Sequence, residues 1–281
     1  MIRQKEIVEI ASKKQVPKVT IDKDWVLGIF LNAMFNFDDV RVNIVFKGGT
    51  CLHKCFIKDY RFSEDLDFTL LDANFDVNKP FINKIMKKAS EESGIRFHLA
   101  NLSEQQSENI PQGYKAVIRF WGADHNPNQR PLSPSRWQTS INVDISFSEK
   151  LFLQSVEKDI IHPYSDANLI KNRAVCYDFT EILSEKIRAL TQRNRPRDVY
   201  DVWYLSKSAD SPFKGIRELL LNKSELKGLK IEGIHNFVNK EKALRNKRAW
   251  SQSLSNQIAA ADLPDFDVTY HELTTFLKTL L

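Results

Sequence analysis

The chain of 281 residues has only three cysteines, Cys51, Cys55 and Cys176. An odd count excludes a fully paired disulfide framework, and the spacing matches no paired zinc motif. Cys51 and Cys55 stand four apart on one face of an expected helix, where buried free thiols are the expectation and a metal pair the alternative. No apolar stretch approaches the roughly 20 residues that span a membrane. The opening Met1–Glu6 lacks the apolar block of a signal peptide, so a cytoplasmic location is expected. No Gly-Lys-Ser/Thr run signals a P-loop. No nucleophile elbow signals a Ser–His–Asp hydrolase. His125, His162, His235 and His271 show no metal-ligand spacing, and His53 is expected to cap or to face solvent. There is no internal repeat and no low-complexity tract.

What is present suits a globular protein. Hydrophobic residues make up 42% and charged residues 27%, enough to bury a sizeable core. The formal net charge of +5 permits a polyanionic partner without requiring one. Trp25, Val26, Ile29, Phe30, Ala33, Met34 and Phe37 recur at helical spacing, with Asp22 as the expected cap. Asn43–Phe46 reads as a short buried strand leading through Gly48-Gly49-Thr50 into a helix. Leu66–Leu70 reads as a strand, Phe81–Ala89 as a helix, and Ile95–Leu99 and Tyr114–Trp121 as strands. Ile141–Phe147 alternates strictly, which places Asn142, Asp144 and Ser146 on one face. Between these strands, Gly122–Pro134, with Pro127, Pro131 and Pro134, reads as a loop. After about residue 165 the pattern turns helical. The expected architecture is an α/β (α+β) mixed sheet with flanking helices over 1–164, then a helical domain over 165–281.

The chemistry concentrates in Gly48-Gly49-Thr50 and in Tyr60-Arg61-Phe62-Ser63-Glu64-Asp65-Leu66-Asp67-Phe68. Side chains two apart on a strand face the same way, so Asp65 and Asp67 project together. Two adjacent carboxylates repel unless a cation lies between them. Hard oxygen donors suit magnesium, which takes its remaining ligands from water and phosphate. Asp144 supplies a third carboxylate if its strand neighbours theirs. The glycines allow close approach of a phosphate to the backbone, with helix amides behind them and Thr50 and Ser63 as hydroxyl donors. Either element alone is weak, because acidic turns are common; together they are specific.

In the second half, Phe179, Ile182, Leu183, Ile187 and Leu190 form an apolar stripe that includes Lys186. A lysine there either snorkels to water or meets an anion. Lys186 is read as a triphosphate contact because an acidic site exists for it to serve. Arg195–Asp201 follows, with Pro196 at a helix start and Asp198 and Asp201 on one face. Asp198 and Asp201 read either as site residues or as helix-stabilising aspartates; Arg197 pairs with one of them or with phosphate. The basic run Lys223, Lys227, Lys230, Lys240, Lys242, Arg245, Lys247 and Arg248 is expected as a solvated face, or as a phosphate-tracking surface if the acceptor is RNA. Trp137 and Trp250 read as core residues or as base-stacking platforms.

Four segments in this order resemble the nucleotidyltransferase toxins of the AbiEii/AbiGii type, within the polymerase-beta-like nucleotidyltransferase superfamily. They are Gly48-Gly49-Thr50 with Leu52 and Lys54; Ser63–Phe68; Ser184-Glu185-Lys186 with Arg188-Ala189-Leu190; and Arg197–Asp201. The resemblance implies a nucleotidyltransferase sheet followed by a helical lobe. It implies metal at Asp65 and Asp67 and a nucleotide contact from Lys186; the residues themselves add Asp144 as a third ligand to Mg2+ or Mn2+, and Gly48, Gly49, Thr50, Lys54, Ser63 and Arg197 as further contacts to a nucleoside triphosphate. It implies a base-like role for Asp201 or Asp198. It further implies transfer of a nucleoside monophosphate, with tRNA as acceptor, in a toxin neutralised by a cognate antitoxin. A protein or small-molecule acceptor, and a non-catalytic nucleotide-binding relative, are the alternatives. Residues 206–281 match no motif of the family.

Overall fold

The computed structural model describes residues 2–125, 130–207 and 215–280. The chain divides into two compact units, Met1–Leu151 with Ser155–Tyr177, and Phe152–Gln154 with Asp178–Leu281.

The first unit begins with α1 (Gln4–Lys14), α2 (Lys18–Met34) and α3 (Asp38–Asn43), then β1 (Ile44–Lys47), α4 (Gly48–Cys51) and a π-turn (Leu52–Phe56). It continues with β2 (Asp65–Leu70), α5 (Lys79–Ser93), β3 (Arg96–Ser107), β4 (Ile110–Trp121) and β5 (Ser140–Ser146). It ends with β6 (Val156–Asp159) and β7 (Arg173–Cys176). The strands form one mixed sheet in the order β3-β4-β5-β2-β1-β7-β6. β2 runs antiparallel to β1 and parallel to β5.

α2 is buried almost all round, which makes it a central helix rather than a surface one. Its apolar surround makes Asp22 and Asp24, both buried, the costly exceptions. Asp22 does not cap α2, contrary to expectation, because the helix starts four residues earlier behind Pro17. Instead its Oδ1 accepts the amides of Ala123, at 2.9 Å, and Asp124, at 3.3 Å, where β4 ends. It thereby tethers the start of the Pro-rich loop, whose Pro127 lies outside the described residues; Pro134 opens a 3-10 turn.

Burial raises the Asp22 carboxyl to about 7, with the two amides opposing. A carboxyl raised on folding stabilises below its unfolded value, and that contribution is lost as pH rises through about 7. Asp22→Asn keeps the amide acceptor without the charge. It should raise the melting temperature at pH 8 and leave it nearly unchanged at pH 4, as read by a pH series of thermal melts. Equal destabilisation at both pH values would contradict this.

The sequence reading singles out neither α1, α3, β6 nor β7, and it ends β3 early. β3 runs on to Ser107 through the polar Ala100–Ser107, beyond the expected end at Leu99. It lies at the sheet edge, where polar side chains are tolerated on both faces. Glu108 and Asn109, with φ of 51° and 66°, supply the two left-handed residues of a tight hairpin. β7 is among the additions. Four residues are too few for a clear period, and the strand is recognisable only by its pairing, Phe46↔Cys176 to β1. Helical structure expected from about 165 therefore begins at Phe179.

The second unit is helical: α6 (Phe179–Gln192), α7 (Pro196–Ser206), α8 (Ile216–Glu225), α9 (Lys240–Leu254) and α10 (Phe266–Leu280). Trp250 is core, 4% exposed, packed on Tyr200 and Phe266 with its indole donating to the Pro264 carbonyl. In the first unit Trp137 is likewise buried against Trp121 and donates to the Leu132 carbonyl. Neither tryptophan presents a face for base stacking. No helix among the described residues is long and apolar enough to cross a membrane.

Candidate active site

β2 alternates as its sequence demands. Leu66 and Phe68 are buried, whereas Asp65 and Asp67 are half-exposed on the other face. β5 does the same, burying Ile141, Val143 and Ile145 and leaving Asn142 and Asp144 half-exposed. The two strands are parallel neighbours, in a register that sets Asp65 beside Asn142 and Asp67 beside Asp144. Asn142 donates from Nδ2 to Asp65 Oδ1 at 2.8 Å, which orients that carboxylate. Across the sheet on β4, Lys115 reaches Asp144 Oδ2 at 3.6 Å. Burial raises the Asp144 carboxyl above the usual carboxylate range; Lys115 opposes this, and the charges of Asp67 and Asp65 add to it. Three carboxylates thus share one stretch of sheet surface and act on one another electrostatically.

The glycine turn abuts them. Gly48 has φ +83°, in the left-handed region, and a Cβ there would meet Asp67 Oδ2 at 2.2 Å. The absence of a side chain at Gly48 is what lets the Asp67 carboxylate lie against the turn. A Cβ on Gly49 would come within 3.0 Å of Ser63 Oγ and 3.1 Å of Arg61 Nη2. A hydroxyl and a guanidinium therefore face the second glycine. Arg61, only 4% exposed, has no role in the sequence reading; its place beside Gly49 could have been inferred only by knowing that the Tyr60–Ser63 segment returns to the turn. Gly48→Ala should combine backbone strain with displacement of Asp67 and reduce activity at least about a hundredfold. Activity assays alongside thermal melts check this, and near-wild-type turnover would contradict it.

Two expected nucleotide contacts are committed elsewhere. Thr50 is fully buried, and its hydroxyl donates to the backbone carbonyl of Asp65, so it ties the turn to β2. Lys54 is also fully buried, with Nζ 2.6 Å from Asp24 Oδ2. Tyr164 OH donates to the same oxygen at 2.6 Å, and His53 Nε2 lies 2.9 Å from Asp24 Oδ1. His53 is accordingly neither a cap nor a surface residue. A buried ammonium requires a buried anion. Asp24 supplies it from a helix thirty residues away, which no local pattern reveals.

In the second unit, Lys186 Nζ lies 2.8 Å from Asp201 Oδ2, and both side chains are nearly or fully buried. The lysine on the apolar stripe of α6 thus meets an anion from α7 and does not snorkel. Asp198 lies at the start of α7 and is held by groups of its own segment. It is fully buried, accepts Arg193 Nε at 3.1 Å and Nη2 at 2.9 Å, and accepts the amide of Arg195, the residue that precedes α7. Arg197 is half-exposed and pairs with neither aspartate. Lys223 also leaves the expected basic face, because it is buried between Glu181, at 2.7 Å, and Glu185, at 3.0 Å. Lys242 donates to the carbonyls of Leu190 and Asn236, and Lys247 pairs with Asp267. Lys230, Lys240, Arg245 and Arg248 are exposed.

A family model described as nucleotidyl transferase AbiEii toxin, type IV toxin–antitoxin system, matches residues 29–272. The chain belongs to this family. It is therefore an AbiEii-type nucleotidyltransferase, a class with nucleotide substrates, divalent-metal chemistry and an antitoxin partner. The fold agrees. MenT4, a nucleotidyltransferase toxin from Mycobacterium tuberculosis, superposes with a TM-score of 0.65 at 17% identity, covering 99% of this chain and 90% of that one. JHP933 from Helicobacter pylori superposes with a TM-score of 0.57 at 15% identity, covering 94% of this chain and 93% of that one. No curated protein sequence matches the AbiEii-type chain described here.

The residues present suit a divalent cation. Asp65, Asp67 and Asp144 are all hard oxygen donors, set on adjacent strands with the Asp67 carboxylate against the Gly48 turn.

Proposed function

We propose that this AbiEii-type protein transfers a nucleoside monophosphate from a nucleoside triphosphate to tRNA, with magnesium or manganese held by Asp65, Asp67 and Asp144. The observation carrying this reading is the register Asp67↔Asp144 against a left-handed Gly48. The cation, when bound, would offset phosphate charge and favour attack by the acceptor oxygen on the α-phosphorus, with the α–β phosphoanhydride bond breaking and pyrophosphate leaving.

The chain's own residues do the rest. Asn142 holds the Asp65 carboxylate in place. The Gly48–Thr50 backbone, tied to β2 by the Thr50 hydroxyl, admits the triphosphate closely and offers it amides. Ser63 and Arg61, beside Gly49, supply a hydroxyl and a positive charge to the same phosphates. Within the helical unit, Lys186 and Arg197 are the side chains proposed to meet an anionic ligand. Asp201 acts through Lys186, orienting its ammonium. Asp198, occupied by Arg193 and the Arg195 amide, is left out of the chemistry. The α/β unit is the proposed nucleotidyltransferase domain. The exposed Lys230, Lys240, Arg245 and Arg248 are the proposed phosphate-tracking surface for RNA.

The test is incubation of the protein with each of four labelled nucleoside triphosphates, magnesium and total tRNA. Labelled tRNA from wild type, and none from Asp65→Ala, is the expected result. Label on a protein or small molecule with tRNA untouched would overturn the acceptor assignment. No label on any acceptor would overturn the activity.

A further inference from the structure

All three cysteines of the chain converge at one point. Cys51 ends α4, Cys55 lies in the following π-turn, and Cys176 ends β7. Each is buried and free, and their three sulfur atoms lie within 4.8 Å of one another. The backbone fixes this convergence. β7 lies beside β1 through Phe46↔Cys176, and the Cys51 thiol donates to the Phe46 carbonyl at 3.5 Å. The π-turn closes with the Ile57 amide on the Leu52 carbonyl at 2.8 Å, the wide helical turn that carries Cys55.

Thiols that merely fill a core need not face each other, whereas three sulfurs at this spacing match a coordination geometry. A metal–sulfur bond of roughly 2.3 Å in a trigonal arrangement places the sulfurs roughly 4 Å apart. Shifts of a fraction of an ångström per thiol would suffice. Thiolate donors select soft cations, whereas the carboxylates of β2 and β5 select hard ones.

We propose that Cys51, Cys55 and Cys176 form a trithiolate site for a soft, thiophilic cation of the zinc class, distinct from the carboxylate site. Binding replaces each S–H by a sulfur–metal bond and releases the proton to solvent, so no oxidant is involved. The bound ion would clamp α4 and the π-turn to β7. Cys51 directly follows Thr50, so the clamp would stiffen the glycine turn from behind.

The test uses the full-length reduced protein titrated with cadmium, read by thiolate-to-metal charge-transfer absorption, with zinc then added as competitor. One equivalent of cadmium, displaced by zinc, is expected, with about two to three protons released per ion. Cys176→Ser should lower affinity at least about tenfold, and Asp65→Ala/Asp67→Ala should leave it unchanged. Absence of the charge-transfer band in wild type would overturn the proposal whether or not the cysteine variant folds. So would fewer than two protons released, an unaltered band in Cys176→Ser, or loss of the band in the aspartate variant.

Discussion

Replacing Asp67 with alanine should cut nucleotide transfer at least about a thousandfold while leaving the fold intact. Asp67 has Asp144 as its parallel neighbour on β5, and its carboxylate lies against the turn at Gly48. It is the carboxylate common to the sheet surface and the glycine turn. Under the proposed function, losing it would remove a ligand from a cation that offsets charge in the transition state. Several kcal/mol of such stabilisation corresponds to roughly a thousandfold in rate. The same change relieves the repulsion that Asp67 exerts on Asp144. The melting temperature measured without metal should therefore stay level or rise. A large drop would show that Asp67 is held for structure. Transfer rates and thermal melts on one preparation separate the two cases.

The second large effect concerns stability. Asp24→Ala should destabilise the protein by about 3–5 kcal/mol, because it leaves the Lys54 ammonium buried without its anion. It also strips Tyr164 of its closer acceptor, leaving only the Ile21 carbonyl at 3.3 Å. Replacing both charges with apolar side chains, Asp24→Leu with Lys54→Met, should recover much of the loss. Denaturant unfolding of the two single variants and the double variant checks this, and additive losses would contradict the ion-pair account. The pH dependence follows from the same cluster. Burial opposes ionisation of Asp24, but Lys54 and His53 outweigh it and hold the carboxyl well below its ordinary value of 3.8. A carboxyl lowered on folding stabilises fully above its unfolded value, and the contribution is lost as pH falls below that point. Asp24→Ala should thus lose less stability at strongly acid pH than at pH 7.

The parts of the fold that local periodicity encodes are legible in the chain. Leu66 and Phe68 alternate with Asp65 and Asp67, and Ile141, Val143 and Ile145 alternate with Asn142 and Asp144, so both acidic faces can be read residue by residue. Strand order cannot. Nothing in either segment states that β5 lies parallel to β2 with Asp144 beside Asp67; that depends on how the whole sheet assembles. The same limit explains Lys54 and Lys223. Each reads as an exposed or phosphate-seeking cation until Asp24, or Glu181 and Glu185, appear from distant turns of chain. Arg61 is the reverse case, an arginine with no local signal that the chain path brings to Gly49. Asp198 shows a local rule prevailing, since an aspartate three residues into a helix caps it, and here the Arg193 guanidinium completes its coordination. β7 is illegible for want of length, and the polar half of β3 for want of an apolar face.

The proposed function requires Asp65, Asp67 and Asp144 to gather a divalent cation where the nucleotide's phosphates arrive. Electron paramagnetic resonance of manganese, titrated into the protein with and without a nucleoside triphosphate, tests this directly. Stoichiometric binding that tightens with nucleotide and vanishes in Asp65→Ala/Asp67→Ala is the predicted result. Equal manganese binding by wild type and that variant would contradict it.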